Sequence, residues 1–466
     1  MRTAGSQGAQ FVWAEWVPVF FLLFVFLLGG SGRSDVASLP LLRGGSLLFA
    51  FWAATRLTAE DWCRIRVPLA LWFVATLWMA IQLVPLPPDM WQALPGREII
   101  TRIDRMIGQP DLWRPISLAP SQTMNSLLAM AVPLAALLII AQVPADHYRR
   151  IALAIIAIAC LSTLLGLMQL LSGAGNAAYL YRITNITNMV GFFANSNHHA
   201  LFLASTIALI GMSLRDELMR KRQDKLLILL LAITGIYLTA MTPFTGSRVG
   251  FVAGIIVFVV GYAMVLATWK SQSGNGSPGR RGSPLTTWKW FVYAPPVLVA
   301  ASLGTGLALT DRTTSLSRAL DQSVADDIRV RAWPTVHSMI ETYWGLGSGF
   351  GSFPGVFKIY EPDSLLSGTY FNHAHNDWAE LLITGGLPFA LIVVATLLWI
   401  TLGFWRAGLR NLVRGHRGDL RLPVMIVMLI LAAASFAEYP LRVPSIQALS
   451  IILVVMLCSP KATRAL

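Results

Sequence analysis

The chain has 466 residues, 55% of them hydrophobic and only 13% charged, with a mean hydropathy of +0.61. Such a composition excludes ordinary soluble packing and predicts an all-α polytopic membrane protein. The net charge of +13 does not signal nucleic acid, because the basic residues are scattered over short loops and not gathered on one soluble face. Cys63, Cys160 and Cys458 show neither paired nor metal-ligand spacing, so no disulfide and no zinc are expected.

Apolar runs of roughly 17 to 25 residues, each able to cross a hydrocarbon core about 30 Å thick, recur about twelve times. They fall at 11–29, 40–54, 67–84, 122–142, 151–171, 198–213, 226–242, 249–267, 290–309, 386–404, 422–438 and 443–458. The first lacks a small-residue cleavage site and is read as a retained helix. Placing both termini in the cytoplasm puts Arg56, Arg64, Arg66, Arg149, Arg150, Arg215, Arg220, Lys221, Arg222, Lys225, Arg406, Arg410, Arg414, Arg417 and Arg421 on the inner side, as the positive-inside trend requires. The segments 85–121, 172–197 and 310–385 then face outward.

Three parts follow from this threading. Residues 1–184 hold the N-terminal membrane helices and the outer loop 85–121, and residues 185–404 a central region with the outer loop 310–385. Residues 405–466 hold a cytoplasmic loop and two last helices. The stretch from Ser271 to Pro284 has the composition of a flexible connector. Neither an internal repeat nor an inverted pair of interrupted helices is visible, which weakens a transporter reading.

In chain order, the loop from Pro85 to Gln122 is rich in proline and carries Trp91 and Trp113. It reads as a cover along the outer interface, with carbohydrate stacking as the other use of its indoles. The segment Asn185 to Ala200 holds Asn195 and Asn197, whose amides suit either glycan hydroxyls or an ordered helix start. His198 and His199 read as polar residues of that helix start.

Ser247 is placed to cap the next outward-facing helix start, and Arg248 sets a cation at the positive end of a helix dipole. That position also runs against the positive-inside trend, so Arg248 is a candidate for gripping an anion such as phosphate. Asp326 or Asp327 would cap a helix carrying Arg329, Arg331 and Trp333. Arg329 is a second phosphate candidate, and Arg331 is the weaker one because Asp327 can neutralise it. The glycine run 345–351 lacks the lysine and the strand-turn-helix setting of a nucleotide site, and reads as tight turns.

The stretch from Phe371 to Pro388 is the most chemically informative. Asn376 or Asp377 can cap the following helix, and Asp377 with Glu380 has capping-box spacing. His375 sits just before the first turn, where the helix dipole disfavours an imidazolium, and a neutral imidazole there can act as general base for a sugar hydroxyl. His373 is the second candidate base. The histidines and carboxylates lack metal-site spacing, which points to metal-free chemistry.

Taken together, Ser247-Arg248, Arg329 with Trp333, Gly345 to Gly351, His375-Asn376 and Gly386 stand in the order of a known pattern. Over about residues 185–400 the sequence resembles the O-antigen ligase and polymerase superfamily of WaaL-like and Wzy-like membrane glycosyltransferases. Phe389 stands where that family usually has its final glycine, and Thr384 where an acidic residue is common. The resemblance implies a GT-C-like helical bundle whose outer loops contain short helices. It also implies inverting, metal-independent transfer of a glycan from undecaprenyl pyrophosphate to an acceptor hydroxyl, at the periplasmic face of the bacterial inner membrane. Arg248, Arg329 and Arg331 would hold the pyrophosphate, and His375 or His373 would serve as base. Asn195, Asn197 and Asn376 would contact glycan. Expected partners are the lipid-linked donor, a glycan or lipid A core acceptor and membrane lipid, with no nucleic acid and no cofactor. The competing reading is a lipid-glycan flippase or other transporter without bond chemistry, for which few intramembrane ionisable residues stand out, Glu438 near the outer end of its span being the clearest.

Overall fold

The computed structural model describes residues 15–172, 177–274, 294–301, 304, 323–366, 370–406 and 421–458. Outside this set lie the start of the first expected span, most of the connector, most of the expected span 290–309 and the outer segment 310–322. So do Arg410, Arg414 and Arg417 of the basic loop and the side chains of Asp326 and Asp327.

Among the described residues the fold is helical, as a chain in hydrocarbon must be when each backbone polar group needs a partner within its own segment. The elements are α1 (Val17–Leu28), α2 (Leu39–Ala54), α3 (Ala59–Ile81), β1 (Pro85–Leu86), α4 (Pro88–Gln92), α5 (Glu98–Met106), β2 (Arg114–Pro115), α6 (Pro120–Ala129) and α7 (Ala131–Ala141). There follow α8 (Tyr148–Ser172), α9 (Ser196–Leu218), α10 (Lys225–Met241), α11 (Arg248–Gly274), α12 (Ser323–Tyr343), α13 (Phe353–Tyr360), α14 (Asp377–Arg406), α15 (Arg421–Ala434) and α16 (Pro444–Cys458). Among the described residues six segments are long and apolar enough to cross a membrane: 59–81, 120–141, 145–172, 225–245, 248–271 and 377–405. Shorter apolar helices stand at 17–28, 39–54, 422–434 and 444–458.

Three boundaries depart from the expected spans for local reasons. Helix α3 starts at Ala59 and not near residue 67 because Thr58 and Asp61 form a capping box: Thr58 Oγ1 accepts from the Asp61 amide at 3.2 Å, and Asp61 Oδ2 accepts from the Thr58 amide at 3.2 Å. This draws Arg64 into the helix, where its Nη1 donates to the carbonyls of Ala141 and Val143, both at 2.8 Å, at the C-terminal end of α7. Helix α15 ends at Ala434, which leaves Glu438 in the turn beyond it. Helix α14 begins nine residues before the expected 386, at Asp377, and is broken at Gly386 (φ 65°, ψ −167°).

That break is where the glycine run fits. Gly347, Gly349 and Gly351 all have positive φ, so the turn can press its backbone against α14: Ser348 N donates to Ile383 O at 2.8 Å and Gly349 N to Thr384 O at 3.0 Å. A Cβ on Gly347 would stand 2.4 Å from the Thr384 carbonyl. The tight turns of the run form a joint that braces the helix following the histidines. Phe389 fills this joint by packing edge-on to Phe350, with ring centroids 4.7 Å apart.

The loop after α3 is a folded cover. Trp91 is buried, donates from Nε1 to Pro115 O at 2.8 Å and lies 5.7 Å from the Arg97 and Arg114 guanidinium carbons. Trp91 is thereby committed to packing, whereas Trp113 is exposed. Helix α9 runs through the core with most of its surface buried. Its Gly211 approaches Gly261 of α11 so closely that a Cβ would meet the Gly261 Cα at 2.8 Å.

Candidate functional site

At one end of the bundle, segments distant in sequence are tied by backbone hydrogen bonds. Ala194 N donates to Gly30 O at 3.0 Å, Met189 N to Phe244 O at 3.0 Å, Ser445 N to Gly29 O at 3.0 Å and Asp377 N to Ser435 O at 2.8 Å. These ties gather the end of α1, the loop before α9, the starts of α9, α11 and α14, and the turn between α15 and α16. Together with Arg329 of α12 they wall a cavity of about 740 Å³. Arg248, Arg329, His375, Asn195 and Asn197 all line it.

Glu438, which is buried, links these groups. Its Oε1 accepts from Arg329 Nη2 at 2.9 Å and from Asn197 Nδ2 at 2.6 Å, and its Oε2 stands 3.6 Å from His375 Nδ1, a contact longer than a hydrogen bond. Burial alone would push this carboxyl up, but the His375 ring and the Arg329 charge outweigh it and hold Glu438 down at about 2. With a folded-state value below its usual 4.5, the carboxylate contributes stability that is full above about pH 4.5 and is lost as the pH falls towards 2. Thermal melts between pH 3 and 6 should show this acid-side loss, and Glu438→Gln should make the melting temperature less sensitive to pH over that window.

His375 is the one non-glycine residue with positive φ among the described residues, at 50°. The left-handed region costs an L-residue roughly 1–2 kcal/mol and persists where the surroundings over-determine it, as functional sites often do. Here the surroundings are visible. Asn376, next in the chain, caps α14 by accepting from Ala379 N at 3.0 Å, and the layer beneath is a dense ionic brace. Arg442 contacts Glu380 through Nη1 at 3.1 Å and Asp377 through Nε at 3.3 Å. Asp377 also accepts from Leu441 N at 3.0 Å, and Glu380 from Ala374 N at 2.8 Å. The two acids thus serve this brace, while the cap is Asn376.

Three other sequence candidates, His373, Arg331 and Asn376, are not among the residues that line the cavity. His373 spends Nδ1 on Glu380 at 3.0 Å and stacks on Tyr439 at 4.2 Å, so it belongs to the brace. Arg331 donates to the Ser364 carbonyl at 2.5 Å. Asn376 is used by its cap, and Asn376→Ala should cost about 1 kcal/mol of stability, with Asn376→Asp recovering most of it in a thermal melt. Asn195 accepts from the Asn197 amide at 2.9 Å and caps α9.

Sequence reading overlooked Arg33, Asn372, Tyr439 and Arg442, and did not place Glu438 with the arginines. Arg33 lines the cavity and is held by Asp35 at 2.9 Å and by the Tyr370 hydroxyl at 2.9 Å. Arg33 and Arg442 carried a usable signal. Each is a cation at the site-bearing ends of apolar helices, against the charge trend that singled out Arg248.

Fold and site define a helical membrane protein with a cation-lined cavity at one end of the bundle, containing an imidazole backed by a buried carboxylate. Residues 228–394 match the O-antigen ligase family model, Wzy_C, and this match supports assigning that region to the O-antigen ligase/polymerase superfamily. The matched stretch contains Arg248, Arg329 and His375, and leaves Arg33, Asn195, Asn197 and Glu438 outside it. Comparison with curated proteins gave no match.

Proposed function

We propose that this protein is an inverting, metal-independent glycosyltransferase that moves a glycan from undecaprenyl pyrophosphate to an acceptor hydroxyl, as an O-antigen ligase or polysaccharide polymerase. The observation that carries this reading is the convergence of Arg248, Arg329 and His375 on one cavity. In the reaction the acceptor oxygen attacks the anomeric carbon from the face opposite the pyrophosphate. A new C–O bond forms, the C–O bond to the pyrophosphate breaks, and undecaprenyl pyrophosphate departs with the electron pair. The acceptor's proton passes to His375.

Pyrophosphate is already a good leaving group, so the main demands are cations for its charge and a base for the proton. Arg248 and Arg329 meet the first demand and His375 the second. Glu438, 3.6 Å from Nδ1, orients the ring and stabilises the imidazolium that forms, which leaves Nε2 for the acceptor. Its bonds to Arg329 and Asn197 keep that carboxylate in place. An apolar cavity of about 700 Å³, lined by Trp72, Trp378 and Leu441 among others, has the polarity an isoprenoid tail requires.

On this reading the chain crosses the inner membrane about twelve times with cytoplasmic termini, and the cavity opens to the periplasm. The opposite ends of the helices carry Arg64, Arg149, Arg215 and Arg220, in keeping with a cytoplasmic side. The flippase alternative calls for ionisable residues along a mid-membrane path, and its clearest candidate, Glu438 near the outer end of its span, lies beyond the end of α15 and is bonded to Arg329, which favours bond chemistry. Transfer by the purified protein should survive EDTA unchanged, measured as product formed from a lipid pyrophosphate glycan. Abolition by EDTA with recovery on adding a divalent cation would contradict the metal-free mechanism.

A further inference from the structure

His198 is 1% exposed at the start of α9, yet neither ring nitrogen has a hydrogen-bond partner among the described residues. Buried polar atoms are nearly always paired, and leaving them unpaired is far more costly than satisfying them. His198 lines the same cavity as the arginines, and so does Thr184, whose Oγ1 is likewise buried without a partner. The adjacent amides are already used: Asn195 and Asn185 accept from the backbone at 2.9 and 3.0 Å, and Asn197 donates to Glu438. Neighbouring His199, by contrast, places Nδ1 against the Met189 carbonyl at 3.2 Å.

The unpaired atoms define the chemistry of what they bind. A neutral imidazole offers one donor and one acceptor, and a threonine hydroxyl offers both. Pyrophosphate oxygens only accept, and the guanidinium groups on the same cavity serve them better. A sugar hydroxyl both donates and accepts, and matches this pair. We propose that His198 and Thr184 form a subsite for ring hydroxyls of the sugar next to the pyrophosphate, so that this wall selects the glycan. The inference rests on the transferase reading above.

The test measures binding to the full-length protein in nanodiscs for undecaprenyl pyrophosphate, for undecaprenyl-pyrophosphoryl N-acetylglucosamine and for methyl glucoside. The wild type should bind the sugar-bearing lipid more tightly than the bare lipid. His198→Ala and Thr184→Val should each remove about fivefold to tenfold of that difference, the worth of one hydrogen bond, while bare-lipid affinity stays unchanged. His198→Gln, which keeps a donor and an acceptor, should retain part of it. A loss seen only with methyl glucoside overturns the assignment of this subsite to the sugar next to the pyrophosphate. Undiminished binding of all three probes by both variants, with normal melting temperatures, overturns this inference alone. Failure of the wild type to bind either lipid overturns the transferase reading and this inference with it.

Discussion

His375→Ala should lower the turnover number for glycan transfer by about 10²- to 10⁴-fold, the usual worth of a positioned general base, with little change in donor affinity. The ring lines the cavity and holds Nδ1 3.6 Å from Glu438, so its loss removes the proton acceptor and leaves the arginines in place. Because the brace of Asp377, Glu380 and Arg442 lies beneath it, the variant should fold. Relief of the left-handed backbone through His375→Gly should not restore activity, since the ring and not the φ angle does the chemistry. Single-turnover transfer alongside donor binding would separate these effects. Weakened binding with an unchanged chemical step would assign His375 to substrate holding instead.

Arg248→Ala should have the other large effect, about 10²- to 10³-fold on kcat/KM, comparable to removing one preorganised charge-stabilising group. Its backbone position at the start of α11 is fixed by the Ser247 cap, whose Oγ accepts from Gly250 N at 3.0 Å. Gly246 (φ 66°) turns the chain into that cap. Arg248→Lys should recover only part of the loss, because an ammonium cannot grip two phosphate oxygens in a planar fork. Bare undecaprenyl pyrophosphate should bind less tightly to both variants. Unaltered binding and turnover in Arg248→Ala would remove this residue from the site.

Much of the site could be read from local patterns, and what could not depended on rotation or on contacts far along the chain. Arg248 stood out because charge, dipole and topology all argued against a structural cation there. Arg329 and Arg331 were harder to separate. Two residues turn a helix by about 200°, so only one can face the cavity, and the helix's rotation is set by packing. Asn195 and Asn197 lay in a recognisable polar helix start, but their amides proved to be held by a cap and by Glu438. Glu438 was read as the outer end of its span, because the apolar run continues to Ala437, whereas α15 stops at Ala434 and leaves it in the turn beyond. There Asp377, 58 residues earlier, accepts from the Ser435 hydroxyl and donates its amide to the Ser435 carbonyl. The Thr58–Asp61 box was legible by spacing, and an apolar run counted from residue 67 passed over it.

The most direct measurement of the central claim is transfer by the purified protein in vesicles containing an undecaprenyl-pyrophosphate-linked glycan and an acceptor. Release of undecaprenyl pyrophosphate is counted against new glycosidic bonds, and the anomeric configuration of the product is read by NMR. The account predicts one lipid released per bond, inverted configuration, and loss of both signals in His375→Ala and Arg248→Ala. Passage of intact lipid-linked glycan across the bilayer without bond formation, or wild-type turnover in both variants, would contradict it.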